Sequence, residues 1–156
     1  MDFKAICTDL ANQYSYSATP SGADAIQQFH GQTPQGLTQT PAIVVIPTDG
    51  TRTYGDAQWQ DALHLDVLFY LSKAPGDIAR VETQRQLWLP VLLAATHGPN
   101  AQGGAQSHMA LGLDPTVLKA IPTGWEYREL QYDADSYDGI VIHVTVYTRE
   151  YGTFTA

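Results

Sequence analysis

Two hydrophobic periods alternate along the chain. Helical spacing near the start predicts a first helix from Asp2 to about Tyr14. Its apolar face is formed by Phe3, Ile6, Leu10 and Tyr14. A period of two from Asp61 to Leu71 predicts a strand with one apolar face. Because the other face of this strand is only partly polar, we expect a helix, a neighbouring segment or another subunit to cover it in part.

A second helix is predicted from Asp77 to His97. Its apolar stripe consists of Ile78, Val81, Trp88, Leu92 and Ala95. Asp77 suits the N-terminal end of this helix, and Gly98-Pro99 is a stop signal. Since a proline inside a helix removes one backbone hydrogen bond, Pro90 predicts a kink or break near Gln86 to Leu89.

Three further strands are indicated by β-branched and aromatic runs. Ala42 to Ile46 has the composition of a buried strand, and Thr48 to Thr51 supplies turn residues after it. Trp125 to Tyr132 and Ile140 to Thr148 predict a hairpin joined by Asp133 to Gly139. A short element from Pro115 to Ala120, ending at Pro122, is predicted to precede that hairpin.

Two long polar segments separate these elements. Residues 15–41 are rich in Ser, Thr, Gly, Gln and Pro and predict an extended arm or long loop, with a helical turn near Ala23 to Phe29. Residues 98–112 predict a flexible glycine-rich loop. The order of elements predicts a single α+β domain over residues 1–156. We expect roughly four strands in an antiparallel or mixed sheet, packed against two helices on one face.

The charge balance limits the partners. The chain carries 16 acidic and 8 basic residues, a formal net charge of -8, and the basic residues form no run. Such a chain is repelled by phosphate, which argues against sequence-specific duplex binding over a broad face. An acidic ring or channel through which nucleic acid passes without sticking is a hypothesis that fits this charge.

Cysteine content and hydropathy indicate the compartment. Cys7 is the only cysteine, so no internal disulfide can form, as is usual in a reducing compartment. The first residues lack the pattern of a signal peptide, and the longest apolar stretch, Leu87 to Ala95, is too short to cross a bilayer. We therefore expect a protein that stays in the cytoplasm of the cell that makes it and has no membrane partner.

Catalytic and metal-binding motifs are missing from the sequence. There is no phosphate-binding loop, no serine-nucleophile elbow and no histidine pair spaced for zinc. Asp133, Asp135 and Asp138 resemble the start of a calcium loop, but Tyr137 occupies a ligand position and Val144 replaces the closing glutamate. We therefore predict no catalytic residue, no metal and no cofactor.

Two features could still serve a function. A sheet face around His64, Asp66 and His143 is the basis of one hypothesis, a small enzyme or ligand-binding domain. Five tyrosines in the C-terminal hairpin are candidate subunit-interface residues, since aromatic side chains are favoured both at interfaces and in strands. They are Tyr127, Tyr132, Tyr137, Tyr147 and Tyr151.

The order of elements resembles that of the tail terminator proteins of long-tailed bacteriophages, and more loosely that of other small neck proteins. Three parts of the chain carry this resemblance. They are the helix from Asp2 to Tyr14, the strand from Leu63 to Leu71 leading through Pro75-Gly76-Asp77 into the helix from Ile78 to His97, and the closing hairpin, in which Tyr137-Asp138-Gly139-Ile140 enters the final strand.

This resemblance implies a structural role without enzymatic activity. Members of the family form rings, usually hexamers, that cap the finished tail tube and offer a surface to the head connector. The implied partners are other copies of the chain, the tail tube protein and a head connector or neck protein. The implied location is the head–tail junction of the virion, after assembly in the host cytoplasm. A head-completion, stopper or baseplate component remains an alternative.

Overall fold

The first helix begins where a side chain caps it. Asp2 is extended and its carboxylate accepts a hydrogen bond from the backbone nitrogen of Ala5 at 3.0 Å. The helix, α1, spans Phe3–Gln13 and buries Ile6 and Leu10, as the spacing predicted. The predicted member Phe3 is half exposed. A single 3-10 turn, Tyr14–Tyr16, follows and buries Tyr14.

A computed structural model describes residues 2–96 and 117–151. Its elements follow in the order α1, β1 (Gln28–His30), β2 (Ala42–Gly55), β3 (Gln58–Lys73), α2 (Ile78–Thr96), β4 (Val117–Tyr132) and β5 (Asp135–Tyr151). The strands form one sheet in the order β1-β2-β3-β5-β4. Strand β1 is parallel to β2, and every other neighbouring pair is antiparallel. The predicted α+β class is confirmed, with five strands in place of about four.

Both helices lie on the same face of the sheet, as predicted. The core between them combines alternate residues of the two central strands, among them Leu65, Val67 and Phe69 of β3 and Ile140 and Ile142 of β5. Trp88 of α2 packs on Phe69 with ring centroids 5.5 Å apart. Because side chains alternate along a strand, the remaining residues of β3 and β5 point to the opposite face.

The predicted end of β2 and the predicted start of β4 are wrong because these strands are longer than their apolar runs. Thr48 to Thr51 is not a turn, since β2 continues to Gly55 through a register shift between Pro47 and Asp49. Likewise β4 starts at Val117 and runs past Pro122, with a second register shift there. Prolines are tolerated at such positions because both lie on outer stretches of the sheet, where a missing backbone donor costs little.

The closing hairpin has a shorter connection than predicted. Only Asp133 and Ala134 separate β4 from β5, so most of the predicted Asp133-to-Gly139 loop belongs to β5. Asp133 has a φ of 55°, a left-handed conformation that aspartate adopts more readily than most residues.

Helix α2 is continuous through Pro90. The predicted break near Gln86 to Leu89 is absent because both Pro90 and Gln86 face solvent, where water can bond to the carbonyl that the proline leaves free. The predicted capping role of Asp77 is confirmed by a 3.2 Å hydrogen bond from the backbone nitrogen of Arg80. Ile78 is 76% exposed and does not belong to the buried stripe predicted for it.

The arm over residues 15–41 is extended, as predicted, but the helical turn near Ala23 to Phe29 is not formed. Gln28–His30 instead pairs with Ala42–Val44 as the edge strand β1. The arm then crosses to the second face of the sheet, where Leu37 packs and the carbonyl of Pro34 accepts a hydrogen bond from the hydroxyl of Tyr132. The predicted loop over residues 98–112 lies outside the described residues.

The backbone of the arm packs directly against α1 at Gly31. A Cβ atom placed on Gly31 would lie 2.6 Å from the Cα atom of Thr8 in α1, closer than real contacts allow. We expect Gly31→Ala to destabilise the fold by about 1–3 kcal/mol, because backbone on both sides must move. Gly36→Ala is the matched control in the same arm, since nothing lies within 4 Å of its Cβ position. Urea unfolding of both variants tests this, and equal midpoints would contradict it.

A buried hydrogen bond joins the start and end of the helical layer. The hydroxyl of Thr96 donates to the carbonyl of Leu92, so the hydroxyl of Tyr14 donates to Thr96 Oγ1 at 2.7 Å. Burial raises the pKa of Tyr14 well above its usual range. The folded state therefore holds its proton more tightly than the unfolded state, and this contribution to stability is lost as the pH rises above about 10.

We expect Tyr14→Phe to cost about 1 kcal/mol at neutral pH through the lost hydrogen bond. It should also flatten the fall of the unfolding free energy above about pH 10, because phenylalanine has no proton to lose. Denaturation curves at pH 7 and at higher pH measure both effects. Tyr16→Phe, at a position 70% exposed, is the control. The same alkaline slope in wild type and Tyr14→Phe would refute the assignment.

Candidate functional site

The second face of the sheet is divided into a covered half and an open half. Near the β4–β5 turn, an apolar cluster of Leu68, Tyr70, Leu130, Tyr137 and Val141 is covered by the arm. Toward the β2–β3 hairpin no described segment covers the sheet. This uncovered region, the open face, presents alternate side chains of β2, β3, β4 and β5, and it contains the polar residues that the sequence singled out.

Two histidine–aspartate pairs lie side by side on the open face. His143 of β5 is opposite Asp66 of β3, and its Nδ1 atom is 2.7 Å from the Asp66 carboxylate. His64 of β3 is opposite Asp49 of β2, with 2.5 Å between Nδ1 and the carboxylate. The predicted trio His64, Asp66 and His143 is therefore brought together. Asp49 was missed, because it was assigned to a turn rather than to the adjacent strand.

An open groove of about 450 Å³ surrounds these pairs. Its floor is the sheet itself, and its walls include Thr48 and Thr123. Both histidines keep more than 40% of their side-chain surface exposed. The groove is thus a shallow and hydrated depression, unlike the enclosed and mainly apolar pockets that usually hold small ligands.

Within the described residues, each imidazole of the two pairs has a carboxylate as its hydrogen-bond partner. A carboxylate bonded to Nδ1 orients an imidazole for proton transfer, but nucleophilic catalysis also needs a hydroxyl or thiol within its reach. The hydroxyl of Thr48 donates to the carbonyl of His64, and that of Thr123 donates to the carbonyl of His143. These two of the three threonines that line the groove are thus engaged by the backbone, and neither donates to an imidazole.

The remaining candidate chemistry is weak as well. No group of three metal-ligating side chains occurs within residues 2–96 and 117–151. Cys7 lies on the buried side of α1. Burial raises the pKa of its thiol, which favours the unreactive protonated form. In the same described ranges, no helix is long and apolar enough to cross a membrane.

The five candidate interface tyrosines occupy three different environments. Tyr137 is only 7% exposed and, like Tyr132, packs edge-on against Tyr70 within the subunit. Tyr127 lies on the helix side of β4, where the guanidinium of Arg85 stacks 5.5 Å from its ring centroid. Tyr147 and Tyr151 lie on the open face and are 37% and 71% exposed. The exposed members, rather than the buried pair, leave surface for a partner.

The β2–β3 hairpin extends past the helical layer, and side-chain bonds brace it. Arg52 binds the buried carboxylate of Asp61 through two hydrogen bonds of 2.6 and 2.7 Å, which raise the pKa of the guanidinium. Trp59 stacks under Arg52 and donates its indole N–H to Glu150 of β5 at 2.6 Å. The hairpin is therefore fixed to β5 and forms a firm end of the sheet, which we call the tip.

Comparison with known proteins does not assign this surface. No protein-family model matches the sequence, and no curated protein matches it. The functional argument therefore depends on the geometry of the chain itself.

Proposed function

We propose that the protein is a structural virion component that assembles with copies of itself into a ring, as tail terminators do. In this role it caps the tail tube and presents a surface to the head connector at the head–tail junction. The observation that carries the proposal is the tip of the sheet. There, strands extend past the helices and expose large apolar side chains that no described residue covers.

The tip has the composition of an assembly surface. Tyr54 is 74% exposed at the β2–β3 turn, Tyr151 is 71% exposed on β5, and Leu118 is 42% exposed on β4. Aromatic side chains bury much area at small cost in conformational entropy, which makes them frequent at protein interfaces. Since Arg52, Asp61 and Trp59 already hold the tip rigid, binding a partner there requires little further ordering.

The edges of the sheet argue for contact through faces and ends rather than by strand addition. The free stretch of β2 contains Pro47 and the outer strand β4 contains Pro122, and each proline lies beside a register shift. Prolines and bulges on outer strands prevent uncontrolled pairing with other chains. Such edges suit a protein that must stop at a closed ring instead of growing into a fibre.

A different position in the particle is compatible with the same surfaces. A head-completion, stopper or baseplate protein also needs an ordered contact surface and no catalytic centre. The location of the protein in assembled particles distinguishes these positions.

The proposal predicts that Tyr147→Ala/Tyr151→Ala weakens assembly at least tenfold, because it removes two exposed aromatic anchors at the tip. Light scattering on the pure protein, and negative-stain images after mixing with purified tail tubes, measure ring formation. Tyr16→Ala, which removes a tyrosine that is 70% exposed in the 3-10 turn after α1, is the control. A wild-type protein that stays monomeric and ignores tail tubes would refute the proposed function.

The groove favours a second candidate, a small enzyme or ligand-binding domain using His64 and His143. Ligand-observed NMR with a library of small polar compounds compares the wild type with His64→Ala/His143→Ala. We expect no compound whose binding depends on these histidines, because the groove is shallow and hydrated. Specific binding that the variant loses would favour this second candidate over assembly.

A further inference from the structure

The open face contains a cationic patch on an acidic protein. Lys119 of β4 is opposite Tyr147 of β5, and its Nζ atom lies 4.9 Å from the centre of that ring. Arg149 and Tyr151 follow at alternate positions of β5 and so share the same face. We call Lys119, Tyr147, Arg149 and Tyr151 the cationic patch. In the sequence, the spacing of two residues from Tyr147 through Arg149 to Tyr151 indicates that these three side chains share one face of a strand.

These cations differ from most others in the described chain. Carboxylates neutralise Arg52, Lys73, Arg80 and Arg128. Arg85 bonds to the backbone carbonyls of Gly139 and Arg128. By contrast, no carboxylate of the described residues forms a salt bridge with Lys119 or Arg149. Lys119 lies over the Tyr147 ring, and Arg149 faces Gln60, whose amide oxygen, turned toward it, accepts at 3.0 and 3.1 Å.

The opposite end of the same hairpin is acidic. Glu129 and Asp133 are exposed beside the β4–β5 turn, and among the described residues neither is paired with a cation. The neighbouring acids are engaged, since Asp135 pairs with Lys73 and Asp138 accepts from the backbone of Gly76. At about 3.3 Å per residue, β5 separates this acidic turn from the cationic patch by about 40 Å. The two surfaces therefore cannot meet within one copy.

We infer that the cationic patch binds the acidic β4–β5 turn of a second copy. Glu129 and Asp133 supply carboxylates for Lys119 and Arg149, which show no salt-bridge partner within the described residues, and the exposed tyrosines supply stacking area. Because the two surfaces differ, the contact is head-to-tail, the type that closes into a ring when the rotation per copy allows it. This inference rests on the proposed function and specifies the contact by which the ring would form.

Nucleic acid is the other anionic occupant that cations beside exposed aromatic rings would suit. The net charge of -8 disfavours it, because a phosphate backbone would meet a repulsive field around a patch with only two cations. A copy of the chain places just one acidic turn on the patch and keeps its other acids at a distance.

Charge exchange between variants tests the contact. One variant, Lys119→Glu/Arg149→Glu, makes the patch acidic. The other, Glu129→Lys/Asp133→Lys, makes the turn basic. Alone, each variant places like charges in every contact, and we expect at least tenfold weaker assembly than the wild type. Mixed in equal amounts, they restore opposite charges at every contact of an alternating ring, so assembly should return with 1:1 composition.

The control adds negative charge on the other side of the sheet. Arg80→Glu/Gln86→Glu makes two exposed positions of α2 acidic, and we expect it to assemble as the wild type does. Circular dichroism confirms that each variant folds. Native mass spectrometry gives the mass and the composition of the mixed assemblies, and wild-type assembly should weaken as salt is raised.

The outcomes separate the inference from the proposed function. If the wild type forms rings and both variants also form them alone, or if mixing restores nothing, the contact is wrong and the ring stands. If the wild type does not assemble even on tail tubes, both fail. If a labelled single-stranded oligonucleotide binds the wild type but not the Lys119→Glu/Arg149→Glu variant, while assembly is unchanged, the patch belongs to nucleic acid and self-docking is overturned.

Discussion

The fold depends on burying both faces of β3. Leu65, Val67 and Phe69 point to the helices, while Leu68 and Tyr70 point to the other side, and all five are less than 10% exposed. A strand that is apolar on both sides is unstable in a sheet with one face in water, since each buried apolar side chain contributes about 1.5–3 kcal/mol. The helices cover one face, and the second face needs a cover of its own.

The arm supplies that cover, but only over half of the second face. It runs beside β2 as a short parallel strand, passes Thr8 at Gly31 with no room for a side chain, and reaches the Tyr70 cluster through Pro34 and Leu37. Beyond that cluster β3 and β5 change from apolar residues to His64, Asp66 and His143, which tolerate water. The change in strand composition therefore sets the boundary between the covered half and the open half of this face.

This division gives the molecule its two unlike ends. Near the β4–β5 turn the sheet is thickened by the arm and bears exposed acids. At the tip no described segment covers the second face, Arg52 and Asp61 brace the hairpin, and tyrosines are exposed beside two cations. A subunit with unlike ends suits head-to-tail contacts, and the prolines on its outer stretches limit association by strand pairing. The proposed ring and its proposed contact follow from this asymmetry.

The sequence by itself determined the elements whose signals are local. Helical spacing located α1 and α2, the capping aspartate Asp77 marked the start of α2, and alternation located β3 and β5, because each signal depends on neighbours a few residues away. Tertiary structure decided the rest. Strand pairing extended β2 and β4 through prolines and turn-forming residues, and packing against Tyr70 took Tyr132 and Tyr137 from the candidate interface into the subunit. Asp49 met His64, and Lys119 met Tyr147, only through cross-strand register, which a single sequence does not encode locally.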